Sequence, residues 1–150
     1  MTNRPSTNPT DKLVCEGGSL PPCRRAALLR NKTAILDALA IAEIVTVEAE
    51  YEELPFGCLV HRAHAHGRAG RFSLPTLQIR YAEPGRRNRF RHRKLHLFAA
   101  FSKMLDDLLG DSLNPAIGPE GTLQIDVARS RFLLTDQSNG FQQQSFRRIY

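Results

Sequence analysis

The sequence is poor in the residues that mark secreted, membrane-spanning or disulfide-stabilised proteins. It contains no tryptophan and only three cysteines among 150 residues. An odd and widely spaced set of thiols does not form a disulfide framework, and it favours a reducing compartment. No apolar run approaches the roughly 18 residues of a membrane-spanning helix, and the first residues lack the apolar stretch of a signal peptide. We therefore expect a cytoplasmic protein without a membrane partner.

Motifs for catalysis and for phosphate-binding loops are also missing. The serines lie in no nucleophile elbow, and the glycines of "HGRAGR" (66–71) follow neither the P-loop nor the dinucleotide spacing. Asp106 and Asp107 fall on the outer side of a helical pattern, where we expect them to be solvated instead of forming an acid–base pair. The sequence thus predicts a protein that is not an enzyme and that carries no cofactor.

Length and composition are those of one globular domain. With 41% hydrophobic and 24% charged residues, the chain is long enough to bury a core without metal or disulfides. Residues 1–22 are rich in Pro, Thr, Ser, Asn and Gly, which predicts a disordered leader. We expect a single domain over residues 23–150.

Hydrophobic periodicity predicts an α+β domain. A spacing of three and four residues predicts one helix from Arg24 to about Glu43, with Leu29 in its apolar stripe, and another from Leu95 to about Gly110. The order α-β-β-β-α-β-β predicts a two-layer fold with a mostly antiparallel sheet of about five strands and two helices on one face. Alternation predicts the strands "IVTVEAEY" (44–51, with Val45, Val47, Ala49 and Tyr51 inward), "CLVHRAHAH" (58–66), "TLQIRY" (76–81), "TLQIDV" (122–127) and "RFLLTD" (131–136).

Four phrases in these elements resemble a known family. Over residues 28–136 the chain resembles an uncharacterised bacterial family, of the domain-of-unknown-function kind, that is found on plasmids and other mobile elements. The resemblance implies the order of elements and a mobile-element context, and it implies no activity. The family's Gly-Asp-Ser-Gly turn and its His-Gly-Gly-Trp-Glu loop are replaced by "ELPFG" (53–57) and "LNPAIGPEG" (113–121). The phrases are "NKTAILDALAIAEIVTVEAEYE" (31–52), "LPTLQIRY" (74–81), "MLDDLL" (104–109) and "LQIDVARSRFLLTD" (123–136).

Charge is distributed unevenly along the chain. The net charge is +6, but His61 to Lys94 holds ten of the 21 basic residues and only one acid, Glu83. This segment carries +9 and the remainder carries −3, with an acidic stretch from Glu43 to Glu53 just upstream. Such polarity predicts either a binding face or acid–base pairing between neighbouring strands.

The densest basic stretch is "GRRNRFRHRK" (85–94), which follows a Pro-Gly turn signal. As a strand it would place its arginines on one face and Phe90 and His92 on the other. Arginine forks match phosphates, and an aromatic ring can stack on an unpaired base. The stretch therefore predicts a non-specific nucleic-acid interface formed by Arg86, Arg87, Arg89, Phe90, Arg91, Arg93 and Lys94.

Two other interpretations of this basic stretch stay open. It can be a solvated hairpin, anchored by Phe90 and partly neutralised by the glutamates of the first strand. It can also be the basic edge of a protein–protein adaptor or regulator that meets an acidic partner or another copy of itself. The sequence leaves the oligomeric state undetermined.

The cluster from His61 to His66 is a weaker candidate for a metal site. On a regular strand His64 and His66 share a face with Cys58, whereas His61 points to the other face. Two imidazoles and a thiolate are ligands that zinc accepts. The neighbouring arginines oppose a dication, so the alternative is a set of exposed histidines.

Overall fold

The computed structural model describes residues 22–55, 57–85, 89–109, 120–137 and 145–149, which form two helices and eight strands. The predicted α+β class is confirmed. Residues 1–21 of the predicted leader and the last residue of the predicted single domain lie outside the described residues, whereas Pro22, the last residue of that leader, already belongs to the first helix. The elements are α1 (Pro22–Ile41), β1 (Ile44–Leu54), β2 (Gly57–Gly67), β3 (Gly70–Ser73), β4 (Gln78–Pro84), β5 (Phe90–His96), α2 (Leu97–Leu109), β6 (Glu120–Asp126), β7 (Arg131–Gln137) and β8 (Ser145–Ile149).

The strands form two antiparallel sheets. Six strands lie in the order β3-β2-β1-β6-β7-β8, and β4 and β5 form a separate hairpin. The five strands predicted from alternation do not include β3, β5 or β8, although the basic stretch and the C-terminal residues are each compatible with a strand. The prediction also did not separate β4 from the main sheet. β3 is exposed along its whole length, so it has no alternation of buried and exposed residues that would reveal it.

One hydrophobic core joins both helices, the large sheet and the hairpin. It includes Val47, Ala49 and Tyr51 of β1, as predicted. Val45 is instead 44% exposed, because a bulge between Ile44 and Thr46 shifts the alternation by one residue. The helices pack against β1 and β2 of the large sheet, the hairpin packs against the helices, and the other face of the large sheet carries its polar residues.

Helix α1 packs its buried stripe at intervals of four residues. Ala27, Asn31, Ile35 and Leu39 are buried, whereas Leu29 is 60% exposed, so its predicted place in the stripe is wrong. On the neighbouring face, the Lys32 ammonium lies 5.6 Å from the centre of the Phe132 ring of β7, and burial lowers the pKa of this lysine. No helix in the described part of the chain is long and apolar enough to cross a membrane.

Strand β2 contains a bulge at His61. Glu50 of β1 pairs with Arg62, but the next residue, Tyr51, pairs with Val60, so His61 is the extra residue. The bulge reverses which side chains face the core on either side of it. This reversal decides the arrangement of the histidine cluster.

Candidate nucleic-acid interface

The basic stretch of the sequence forms the second strand of the β4–β5 hairpin. Phe90 begins β5, which pairs along its whole length with β4, and Arg89 is exposed just before it. Arg86 and Arg87 lie outside the described residues. Among the described strands β5 has no other neighbour, so it is an edge strand, and its residues 91–94 and 96 are exposed.

The register of the hairpin assigns each basic side chain to a face. Residues directly opposite in an antiparallel pair share a face of the sheet. We call the first face the acid-paired face and the second the cationic face. The acid-paired face carries the pairs Ile79–Leu95, Tyr81–Arg93 and Glu83–Arg91, and the cationic face carries Gln78–His96, Arg80–Lys94, Ala82–His92 and Pro84–Phe90.

The acid-paired face contains the arginine row that the alternation predicts for β5. Arg93 Nη1 lies 3.1 Å from Glu83 Oε1, and Arg91 stands directly opposite the same glutamate. The glutamates of the first strand do not neutralise this row among the described contacts. Glu50 instead lies 3.8 Å from Arg62 Nη1 and 3.5 Å from His61 Nε2, so the acid–base pairing of neighbouring strands occurs within the large sheet.

The cationic face joins residues that are distant in sequence. Arg80 and Lys94 are exposed and directly opposite each other, and neither pairs with an acid in the part of the chain that the structure describes. At the other end of this face the Arg30 guanidinium of α1 lies 4.8 Å from the centre of the half-buried Phe90 ring. Arg30 and Arg80 were not among the predicted site residues.

A buried asparagine holds the hairpin against α1. Asn31 Nδ2 donates to the Ala82 carbonyl oxygen at 2.9 Å, and the Ala82 N–H donates to Asn31 Oδ1 at 2.6 Å. The side chain thus mimics the backbone of a neighbouring strand, because its amide offers one donor and one acceptor. The outer edge of β4 is therefore closed at Ala82, and the hairpin is fixed in place.

Helix α2 holds the hairpin and β2 through its polar residues. The Tyr81 hydroxyl donates to Asp107, the Cys58 N–H donates to Asp106, and the Val60 N–H donates to Ser102 Oγ at 3.0 Å. The expectation that Asp106 and Asp107 are merely solvated is therefore wrong. The apolar pattern of α2 did not reveal this, because both aspartates border the buried stripe and reach past it to neighbouring strands.

Burial and the contact between Tyr81 and Asp107 change the pKa of both groups. Burial raises the pKa of Asp107 above its ordinary value, although the hydrogen bond from Tyr81 and the nearby Lys103 oppose this. Burial and the adjacent carboxylate also raise the pKa of Tyr81 far above its ordinary range. The tyrosine therefore stays a hydrogen-bond donor.

The structure separates the residues of the predicted metal site. Cys58 is buried in the core, whereas His64 and His66 lie opposite Glu48 and Thr46 on the polar face of the large sheet. The bulge at His61 causes this separation and also brings His61 beside Glu50, so the predicted sharing of a face by Cys58 and the two histidines is wrong. Within the described residues no group of three or more His, Cys, Asp or Glu side chains is placed to hold a metal ion.

No family model, curated protein or solved structure matches the chain. The likeness to a bacterial mobile-element family therefore rests on the sequence phrases alone.

Proposed function

We propose that this protein binds nucleic acids without sequence specificity through the β4–β5 hairpin, as an accessory protein of a mobile element. One observation carries the proposal. β5 is an edge strand with basic side chains on both faces, and of its described cations only Arg93 pairs with an acid. The mobile-element context comes from the sequence resemblance.

The physical basis of this binding is the release of counterions from the phosphate backbone. Each phosphate that a protein cation neutralises in a single strand adds about −0.7 to the slope of log K against log salt concentration. Four exposed cations of the hairpin pair with no acid among the described residues, namely Arg80, Arg89, Arg91 and Lys94. They would give a slope of about −3 if each contacted one phosphate. Backbone contacts of this kind carry no sequence information, which is why the proposed binding is non-specific.

Fluorescence anisotropy with labelled single- and double-stranded DNA and RNA over a salt series tests the proposal. We expect binding at low salt that weakens steeply as salt increases. Replacing three exposed basic residues of the hairpin, Arg89, Arg91 and Lys94, by alanine should reduce the magnitude of the slope by about 2.

A matched control removes three exposed cations elsewhere, with Arg25→Ala, Arg68→Ala and Arg129→Ala. It changes the net charge equally, so it should leave most of the affinity and of the salt slope intact. Equal losses in both variants would contradict a site on the hairpin. Absence of binding at low salt would contradict the function itself and leave the adaptor hypothesis.

A further inference from the structure

We infer that the hairpin uses its cationic face, not its arginine row, and that the ligand is single-stranded nucleic acid. The Arg80–Lys94 pair would hold a phosphate, and Phe90 with Arg30 would stack on a base. This inference rests on the proposed function and assigns its face and its ligand class. It differs from the sequence-based prediction, in which Arg91 and Arg93 belong to the row of arginines that contacts phosphate.

The first step concerns the like charges of Arg80 and Lys94. Side chains directly opposite in an antiparallel pair have Cβ atoms about 5 Å apart, and like charges carried by two such side chains destabilise the pair. No acid relieves this repulsion among the described residues. A phosphate between the two groups would replace the repulsion by two attractions, so relief of strain in the free protein adds to the affinity of this face.

The acid-paired face offers less to a phosphate. Glu83 already holds Arg93 and faces Arg91, and its side chain is only 25% exposed. A phosphate that approached these arginines would meet a fixed negative charge beside them. Arg91 and Arg93 therefore contribute less binding free energy than Arg80 and Lys94 do.

The second step concerns the aromatic end of the cationic face. Phe90 is half-buried, and the flat Arg30 guanidinium lies against its ring. Aromatic rings and guanidinium planes are the groups on which unpaired bases stack. At about 3.3 Å per residue, Phe90 lies about 13 Å along the strand from Lys94, which separates a base site from a phosphate site. Because a duplex keeps its bases paired, this arrangement favours a single strand.

The third step concerns the rigidity of the face. Asn31 forms two hydrogen bonds with the backbone of Ala82 in β4, and the Tyr81 hydroxyl donates a hydrogen bond to Asp107 of α2. The hairpin therefore does not need to be ordered by its ligand, which lowers the entropic cost of binding.

Two double variants that remove the same charge provide the main test. The first variant, Arg80→Ala with Lys94→Ala, removes the lysine and arginine of the two strands from the cationic face. The second, Arg91→Ala with Arg93→Ala, removes the two arginines of β5 from the acid-paired face. With oligonucleotides of about 16 nucleotides, the upper end of the range of single-strand site sizes, we expect the first variant to lose at least about tenfold in affinity. Its salt slope should also lose about 0.7 in magnitude, the share of the one phosphate that the pair holds. The second variant should lose clearly less in both quantities.

Phe90→Leu tests the stacking step. It keeps an apolar side chain and all charges, so it should leave duplex binding unchanged and weaken single-strand binding by about tenfold, the size of one base–aromatic stack. Unchanged single-strand affinity would overturn the base site. Tighter binding of duplex than of single strand by the unmodified protein would overturn the ligand class.

Thermal unfolding of the free variants supplies a readout without ligand. Removal of the like-charge pair with Arg80→Ala and Lys94→Ala should preserve or raise Tm, whereas Arg93→Ala loses its pair with Glu83 and should not raise it. If the protein binds but the arginine-row variant loses as much affinity as the other, this inference fails and the proposed function stands. If the unmodified protein does not bind at low salt, both fail.

Discussion

Asn31 shows how one polar residue in an apolar stripe can organise two elements. It is the only polar side chain that the core buries completely among the described residues, and both of its bonds go to the backbone of Ala82. A buried polar group is tolerated when its bonds are satisfied and is costly when they are not. The asparagine therefore selects one position of the hairpin against α1.

Asn31→Leu should lower the free energy of unfolding by about 3 kcal/mol, because it leaves the N–H and C=O groups of Ala82 buried without partners. Leucine is chosen because it has the same branching as asparagine and leaves no cavity, so the loss reports the missing hydrogen bonds together with the extra bulk of two methyl groups. Urea denaturation measures the effect. A loss below about 0.5 kcal/mol would contradict the role of this residue, since surface substitutions commonly reach that size.

Asp107 makes a pH-dependent contribution to stability. Because burial raises its pKa in the folded protein, the folded state holds the proton over a pH window in which the unfolded state has released it. The contribution of this group to stability is therefore largest at low pH. It falls as the pH rises from the ordinary value of 3.8 through the raised value.

Asp107→Asn should remove this dependence while its amide oxygen still accepts the bond from Tyr81. Relative to the unmodified protein, the variant should become more stable as the pH increases across the same window. Thermal melts at a series of pH values measure the difference, and Asp37→Asn on the exposed face of α1 is the control. A stability difference that does not change with pH would contradict the raised pKa.

Among the elements, the helices close strand edges with side chains. Part of β2 lies beyond the end of β3, and there Ser102 and Asp106, one turn apart on α2, accept the N–H groups of Val60 and Cys58. Asn31 closes β4 in the same way. Open edges template unwanted strand pairing, so these contacts protect the sheet as well as fix the helices. The β5 edge is left accessible, and its side chains are charged.

Ser102→Ala should expose the Val60 amide to exchange while leaving the pairing of β1 with β2 intact. The expected loss of stability is about 1 kcal/mol, the net contribution of one hydrogen bond. Hydrogen exchange followed by NMR measures the protection of the Val60 amide, with the Ala65 amide in the same strand as internal control. Equal changes at both amides would indicate general destabilisation instead of a local cap.

At the scale of the whole molecule, the hairpin is a separate sheet that shares the common core. Ile79 and Tyr81 of β4 belong to the same buried cluster as Tyr51 of β1 and Phe101 of α2. Helix α2 contacts β2 of the large sheet and both strands of the hairpin. We therefore expect the hairpin to fold with the rest of the domain.

Thermal or urea unfolding should give one transition that is coincident by far-UV and near-UV circular dichroism. Ile79→Ala should shift both signals together, with a loss of about 2–5 kcal/mol for a buried isoleucine truncated to alanine. An early near-UV transition, or a variant that shifts only one signal, would show that the hairpin unfolds by itself.

Sequence patterns determined the elements whose residues alternate between core and solvent. Both helices and the strands β1, β2, β4, β6 and β7 follow from periodicity, because burial of one face imposes its spacing on the sequence. The alternation of the basic stretch also placed Arg91 and Arg93 on one face and Phe90 and His92 on the other, as the register shows. Strand β3 could not be predicted in this way, since all of its residues are exposed.

Only the tertiary structure decided which charges are neutralised and which side chains meet. The bulge at His61 shifted the alternation of β2 by one residue and so separated Cys58 from His64 and His66, which the assumption of a regular strand did not anticipate. The pairing of Arg80 with Lys94 and the contact of Arg30 with Phe90 join residues from three elements. The sequence therefore determined that the chain carries a dense basic segment. The fold determined that Arg80 and Lys94 meet on the face opposite Glu83 and the arginine row, because cross-strand register and helix packing, not proximity in sequence, set the distance between charges.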